Sequence, residues 1–146
     1  MSRFNKVAER GFSIIELTAV IALISILAIT ATPSFLSQDE AALVTAAQTL
    51  ANDLRITRMN AVWGGSPRSV IITPGTGVYL YDSANGVGKT RDLGEIRRGI
   101  TLQTQSAISF NSMGESGPNT DAIALSLNGL SRTVTIAPFT ARIYVR

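Results

Sequence analysis

The chain has 146 residues, enough for one domain plus an anchor, and contains neither cysteine nor histidine. That excludes disulfides, thiol nucleophiles, Ser-His-Asp catalysis and the usual zinc ligand sets, and leaves only carboxylate-based metal or acid-pair chemistry. Net charge is +3, but residues 1–11 hold Arg3, Lys6 and Arg10 against Glu9, so only +1 remains for residues 12–146. Beyond Gly11 the cations are Lys89 and nine arginines, a small excess and not a polybasic composition.

The N-terminal stretch is the most informative. Residues 17–32 carry no charge, and extending the run back to Phe12 adds a single one, Glu16. As a helix, residues 12–32 are about 31 Å long, close to one bilayer hydrocarbon core. An acid at the centre of such a helix costs about 2.5–3.5 kcal/mol. Glu16 lies nearer the end and costs less, yet it still needs a reason. A basic segment followed by an apolar run fits a cleaved signal peptide, a plain signal anchor or a specialised leader. No A-x-A site occurs in residues 12–33, and Glu16 interrupts what would be the apolar region of a signal peptide. A plain anchor would hold Lys6 and Arg10 in the cytoplasm and export the C-terminal part.

Gly11-Phe12-Ser13-Ile14-Ile15-Glu16 resembles the prepilin signature of type IV pilins and type II secretion pseudopilins. The resemblance implies cleavage between Gly11 and Phe12 by a membrane prepilin peptidase, then N-methylation of Phe12. Glu16 becomes the fifth residue of the product, where the family has its characteristic acid, and Pro33 falls where many pilins have proline. The chemistry agrees. Gly11 lets an extended backbone enter a peptidase cleft. Cleavage exposes an α-amino group that is largely protonated at neutral pH. That cation can pair with Glu16 of a neighbouring subunit once both helices are in a filament core, which would offset the cost of the buried acid and fix register.

Past Pro33, residues 34–62 read as a continuing helix. Leu43, Ala47, Leu50, Leu54 and Ala61 outline one apolar face. Gln38, Asp39, Gln48, Asn52 and Arg55 supply polar positions. Pro33 is expected to kink the helix without ending it, whereas Gly64-Gly65-Ser66-Pro67 is a stop. Residues 12–63 as one helix would span about 78 Å. The second half changes period. Residues 69–73, 77–82, 100–104, 107–110, 121–127, 133–137 and 142–145 read as strands. Asn128-Gly129 is the strongest hairpin signal. Pro74-Gly75-Thr76-Gly77 and Asn85-Gly86 mark further turns. Residues 111–120 read as a mobile loop. The expected fold is α+β, pilin-like: a long N-terminal helix packed on a β-rich antiparallel head. Its parts are a leader (1–11), a transmembrane or filament-core helix (12–33), an amphipathic helix (34–66) and a periplasmic head (67–146).

A narrower resemblance, to the GspH/FimT branch of pilin-like proteins, rests on residues 50–61 (LANDLRITRMNA), on Ile108-Ser109-Phe110 followed by Gly114, and on a C-terminal strand bearing arginines. That branch often ends in a Gly-Arg-x-Arg-like motif. Here alanine precedes Arg142 and the next arginine is Arg146.

Other candidate sites have plainer readings. Gly86-Val87-Gly88-Lys89-Thr90 ends like a P-loop, but Ser83 stands where its first glycine belongs, so the stretch reads as a hairpin loop. Asp82 with Asp92, and Glu115 with Asp121, flank loops without EF-hand spacing and read as solvated acids. Trp63, Tyr79, Tyr81, Phe110 and Phe139 read as core or sheet-surface residues. Arg97, Arg98, Arg132, Arg142 and Arg146 are candidate DNA contacts, as some relatives in this branch are implicated in DNA uptake. Their plainer reading is solvated sheet charge, and Arg142 and Arg146 share a strand face.

The resemblance therefore implies a structural subunit rather than an enzyme, with no cofactor and no metal. It would be a minor pilin of a type IV pilus or a minor pseudopilin of a type II secretion system. The expected location is the inner membrane, single-pass, with a cytoplasmic N-terminus and periplasmic C-terminal domain. The expected partners are other pilins or pseudopilins, the prepilin peptidase and membrane lipid, with DNA as a further one.

Overall fold

The computed structural model describes residues 13–30, 35–82, 87–103, 107–117 and 121–146. The chain divides into two units, Met1–Ser34 and Phe35–Arg146. In the first, helix α1 (Ile14–Thr30) starts at Ser13, whose carbonyl accepts from the amides of Glu16 (3.0 Å) and Leu17 (3.1 Å). At 17 residues it is about 26 Å long. Among the described residues, no helix is long and apolar enough to cross a membrane. The expected passage through Pro33 lies outside the described residues, as does the Asn85-Gly86 turn.

The second unit is built on helix α2 (Phe35–Gly64) and two four-stranded antiparallel sheets. One sheet runs in the order β3 (Gly88–Asp92), β2 (Val78–Asp82), β1 (Arg68–Ile72), β5 (Ala107–Phe110). The other runs β4 (Thr101–Leu102), β6 (Asp121–Leu127), β7 (Leu130–Ile136), β8 (Ile143–Val145). Helix α2 packs on strands of both sheets. Its expected apolar face is buried in full: Leu43, Ala47, Leu50, Leu54 and Ala61, joined by Ala46 and Ala51. Small alanines between leucines let the sheets approach the helix closely, so that Ile123, Leu125, Val134 and Ile136 from one sheet and Val70, Tyr79, Ile108 and Phe110 from the other complete one core. The helix ends where glycine becomes available. Gly65 takes φ 58°, Ser66 N–H donates to Ala61 O (3.3 Å) and Gly65 N–H to Val62 O (3.3 Å), which is a Schellman closure. Asn128 and Gly129, both at positive φ, form the two-residue turn between β6 and β7.

Several expectations change. Gly88-Lys89-Thr90 is not loop but part of β3, pairing with β2 from Val78↔Asp92 to Asp82↔Gly88. As an edge strand it buries almost nothing, so it shows no apolar alternation. Strand β4 has only two residues, and β7 begins at Leu130 rather than residue 133. Trp63 and Phe139 are exposed (80% and 61%), whereas Tyr79, Tyr81 and Phe110 are core. Asp39 is buried, not a polar surface position.

Residues 111–117 are not the expected mobile loop but a closed turn. Asn111 Oδ1 accepts from the amides of Met113 (3.0 Å) and Glu115 (2.9 Å), and its amide donates to Glu115 Oε2 (2.8 Å). Arg58 Nε donates to Gly114 O at 2.8 Å and clips the turn to α2. Gly114 has φ 75°, and a Cβ there would sit 2.7 Å from Val62 Cγ2. Gly114→Ala is therefore expected to destabilise the protein by about 1–3 kcal/mol. In Gly88→Ala the new Cβ meets Leu80 only at ordinary contact distance, so that change should cost under about 0.5 kcal/mol. Equal urea midpoints for the two variants would contradict this packing.

Candidate functional site

Over residues 14–27, helix α1 is exposed throughout and mostly apolar, with Ile14 at 83%. The hydroxyls of Thr18 and Ser25 are satisfied by the helix's own backbone: Thr18 Oγ1 donates to Ile15 O (2.9 Å) and Ser25 Oγ to Ile21 O (2.8 Å). Glu16, in the first turn, is the one charge in the helix, and it is exposed. No cation pairs with it among the described residues. Gly11, Phe12 and Pro33, the other residues expected to act in processing and assembly, lie outside the described residues.

In the head, the arginines sort by partner. Arg97 Nη2 lies 2.7 Å from Asp39 Oδ1, and Arg132 Nη2 lies 2.6 Å from Glu40 Oε1. Two of the five candidate DNA contacts are thus tied to acids at the start of α2. Asn128 Nδ2 also donates to Asp39 Oδ2 (2.8 Å), which anchors the β6–β7 turn on the same carboxylate. Arg68 pairs with Asp82 at 3.0 Å. Arg98, Arg142 and Arg146 pair with no carboxylate among the described residues, and all three are exposed. Arg142 and Arg146 flank β8. The Arg142 carbonyl accepts from Ala137 N–H (2.8 Å), and Arg146 exchanges two 2.9 Å bonds with Thr133. Both residues therefore occupy the same face as Tyr144, as the even spacing predicts.

The acids that flank these loops serve the fold. Asp82 and Asp92 stand at opposite ends of the β2–β3 hairpin, and Asp92 Oδ1 caps the 3-10 turn Leu93–Glu95 through Gly94 N–H at 2.7 Å. Glu115 closes its own turn, and Asp121 begins β6. Among the described residues no three acids gather to hold a metal.

Two groups of residues escaped the sequence reading. The first is a buried polar cluster under α2. Asp53 is 3% exposed. Tyr79 Oη donates to Asp53 Oδ2 (2.7 Å), and Arg91 straddles the carboxylate, with Nε 3.1 Å from Oδ2 and Nη2 3.3 Å from Oδ1. Arg91 Nη2 also donates to Tyr81 Oη (3.0 Å), and its guanidinium carbon lies 5.3 Å from that ring's centroid. Asp53 follows Leu50 by three residues, so its place on the apolar face was readable, though its partners were not. The second group is Arg55 and Arg58, which donate to the Ile143 carbonyl (3.3 Å) and the Gly114 carbonyl (2.8 Å) rather than to acids.

Burial, then the Asp53 carboxylate, push the Tyr79 phenol far above its ordinary value of about 10. The Asp53 hydrogen bond likewise holds Arg91 more firmly protonated. The folded chain therefore retains the Tyr79 proton at alkaline pH where the unfolded chain releases it. Stability from this group is complete below about pH 10 and is lost as pH rises beyond it. Tyr79→Phe is expected to lose about 1–2 kcal/mol at pH 8 and to flatten the decline above pH 10. Urea titrations at pH 8–11 test this, and parallel declines in the two proteins would contradict it.

No protein-family model matches the chain, and no curated protein matches it. Solved structures do. Two crystal structures of the Pseudomonas aeruginosa type IV minor pilin FimU, in space groups P21 and P65, superpose with TM-scores of 0.58 and 0.55. They are 20% and 19% identical to this chain, cover 71% of it, and are themselves covered over 87% and 92% of their length. With α2 laid across two antiparallel sheets in that arrangement, the chain has a type IV pilin-like fold.

Proposed function

We propose that the chain is a structural subunit of minor-pilin type, made as a prepilin, held in the inner membrane by its N-terminal helix and built in low copy into a type IV pilus. The observation that carries this reading is α1: over residues 14–27 every side chain is exposed and all but Glu16, Thr18 and Ser25 are apolar, with both hydroxyls bonded to the helix's own backbone and one carboxylate in the first turn. Such a surface needs lipid or other helices around it. The FimU-like fold of the head supports the same reading. In it, peptidase cleavage after Gly11 frees Phe12, and Glu16 pairs with a neighbour's new α-amino group. Pro33-Ser34-Phe35 favours the pilus over a type II secretion pseudopilus, which often lacks this proline.

The role is structural and not catalytic. DNA contact by the head would rest chiefly on Arg98, Arg142 and Arg146, because Arg97 and Arg132 are already paired with acids. That narrows the cationic footprint such contact needs.

Mass spectrometry of the membrane-extracted protein is expected to give an N-terminus at Phe12 carrying one methyl group, and a start at Met1 or beyond Phe12 overturns the processing scheme. Glu16→Ala should leave membrane retention intact while the amount recovered in sheared filaments falls about tenfold or more. Undiminished recovery would rule out charge pairing as the assembly device.

A further inference from the structure

The seam between α2 and β8 is a groove with a defined chemistry. Gln48, Asn52 and Arg55 line one depression of about 490 Å³ with Ile143, Tyr144 and Val145. Arg55 and Arg58 line the next, about 330 Å³, with Arg142. The helix and strand run in opposite directions along it, so Gln48 lies by Val145 and Arg58 by Arg142. The stretch from Gln48 to Arg58 is about 15 Å long, the length of four or five residues of extended chain.

Two features of this groove point to one class of ligand. The first is charge. Arg55 and Arg58, on the helix side of the groove, pair with no carboxylate among the described residues, although Arg68, Arg91, Arg97 and Arg132 all do. The second is a free strand edge. Arg142 and Arg146 direct their backbone groups to β7, so the alternation of an antiparallel ladder turns the N–H and C=O of Ile143 and Val145 outward. Arg55 takes the Ile143 carbonyl. The Ile143 N–H and both Val145 groups have no hydrogen-bond partner among the described residues.

We propose that the α2–β8 groove docks an extended acidic segment of another protein, which adds to β8 as a strand and sets alternate carboxylates against Arg55 and Arg58. A polypeptide fits better than a phosphodiester because the outward amide and carbonyl of Val145, with the side-chain amides of Gln48 and Asn52, match peptide backbone. The arginines supply the charge complementarity. The segment does not come from a copy of this chain, which nowhere places two acids two residues apart, the spacing that puts them on one face of a strand. Asp39, Glu40, Asp53 and Asp82 are moreover held in ion pairs. The inference names a ligand chemistry for the head and stands whether or not the chain enters a pilus.

The test uses the purified full chain in detergent micelles and an eight-residue fluorescent peptide alternating Glu and Val. A Lys/Val peptide and a 20-base-pair DNA duplex serve as competitors. The Glu/Val peptide should bind about tenfold or more tighter than the Lys/Val peptide. Replacing Arg55 by Ala should weaken it about tenfold or more. Val145→Pro, which removes only an outward N–H and leaves the bonds to β7, should weaken it comparably. Arg132→Ala, off the groove, should not change it. Equal affinity for the Lys/Val peptide, undiminished binding in Arg55→Ala or in Val145→Pro, or displacement by DNA in preference to peptide overturns the proposal.

Discussion

One carboxylate decides how the head is put together. Asp53 lies on the α2 face that buries Leu50, Leu54 and Ala61, where an unpaired charge would cost several kcal/mol. It is tolerated because two strands deliver donors to it: Tyr79 from β2 and Arg91 from β3. Apolar packing alone would accept a helix slid by one turn over a sheet of Val, Ile and Leu. A bidentate guanidinium and a phenol aimed at one carboxylate do not. The cluster therefore sets the register of α2 against its sheet, and Asp39, with Arg97 and Asn128, does the same for the other sheet.

This arrangement also explains why the exposed β3 edge is cationic. Arg91 must stand on β3 to reach Asp53, and Lys89 shares the strand. A charged outer strand resists pairing with other chains. Strand β8 has a different solution, with one outward carbonyl covered by Arg55 and the remaining groups open to the groove.

What the sequence made legible was whatever depends on local pattern. Leu43, Ala47, Leu50, Leu54 and Ala61 recur at helical spacing and are buried as expected. Asn128-Gly129 specifies its turn through two residues that accept positive φ. The alternation in residues 121–127 gives β6 its boundaries directly. What was hidden depends on distant partners. Asp53 looks like a misplaced acid until Tyr79 and Arg91, 26 and 38 residues on, fold over it. Strand β3 carries no apolar alternation because neither face is buried, so its identity comes from β2. The arginine groove needs Arg55 beside Ile143, 88 positions away, and no spacing rule foresees that. Residues 111–117 looked loose from their Gly, Ser and Pro content, yet Asn111 organises them through its side chain.

The way α2 is fastened has a mechanical consequence. Its attachments are spread along its length: Asp39 and Glu40 near the start, Asp53 in the middle, and Arg58 with the Gly114 turn towards the end. A force directed along the helix axis loads these attachments in parallel, as shear, instead of opening them one after another. A protein without a single disulfide thereby gains resistance to being drawn out lengthwise, while remaining far easier to peel apart from the side.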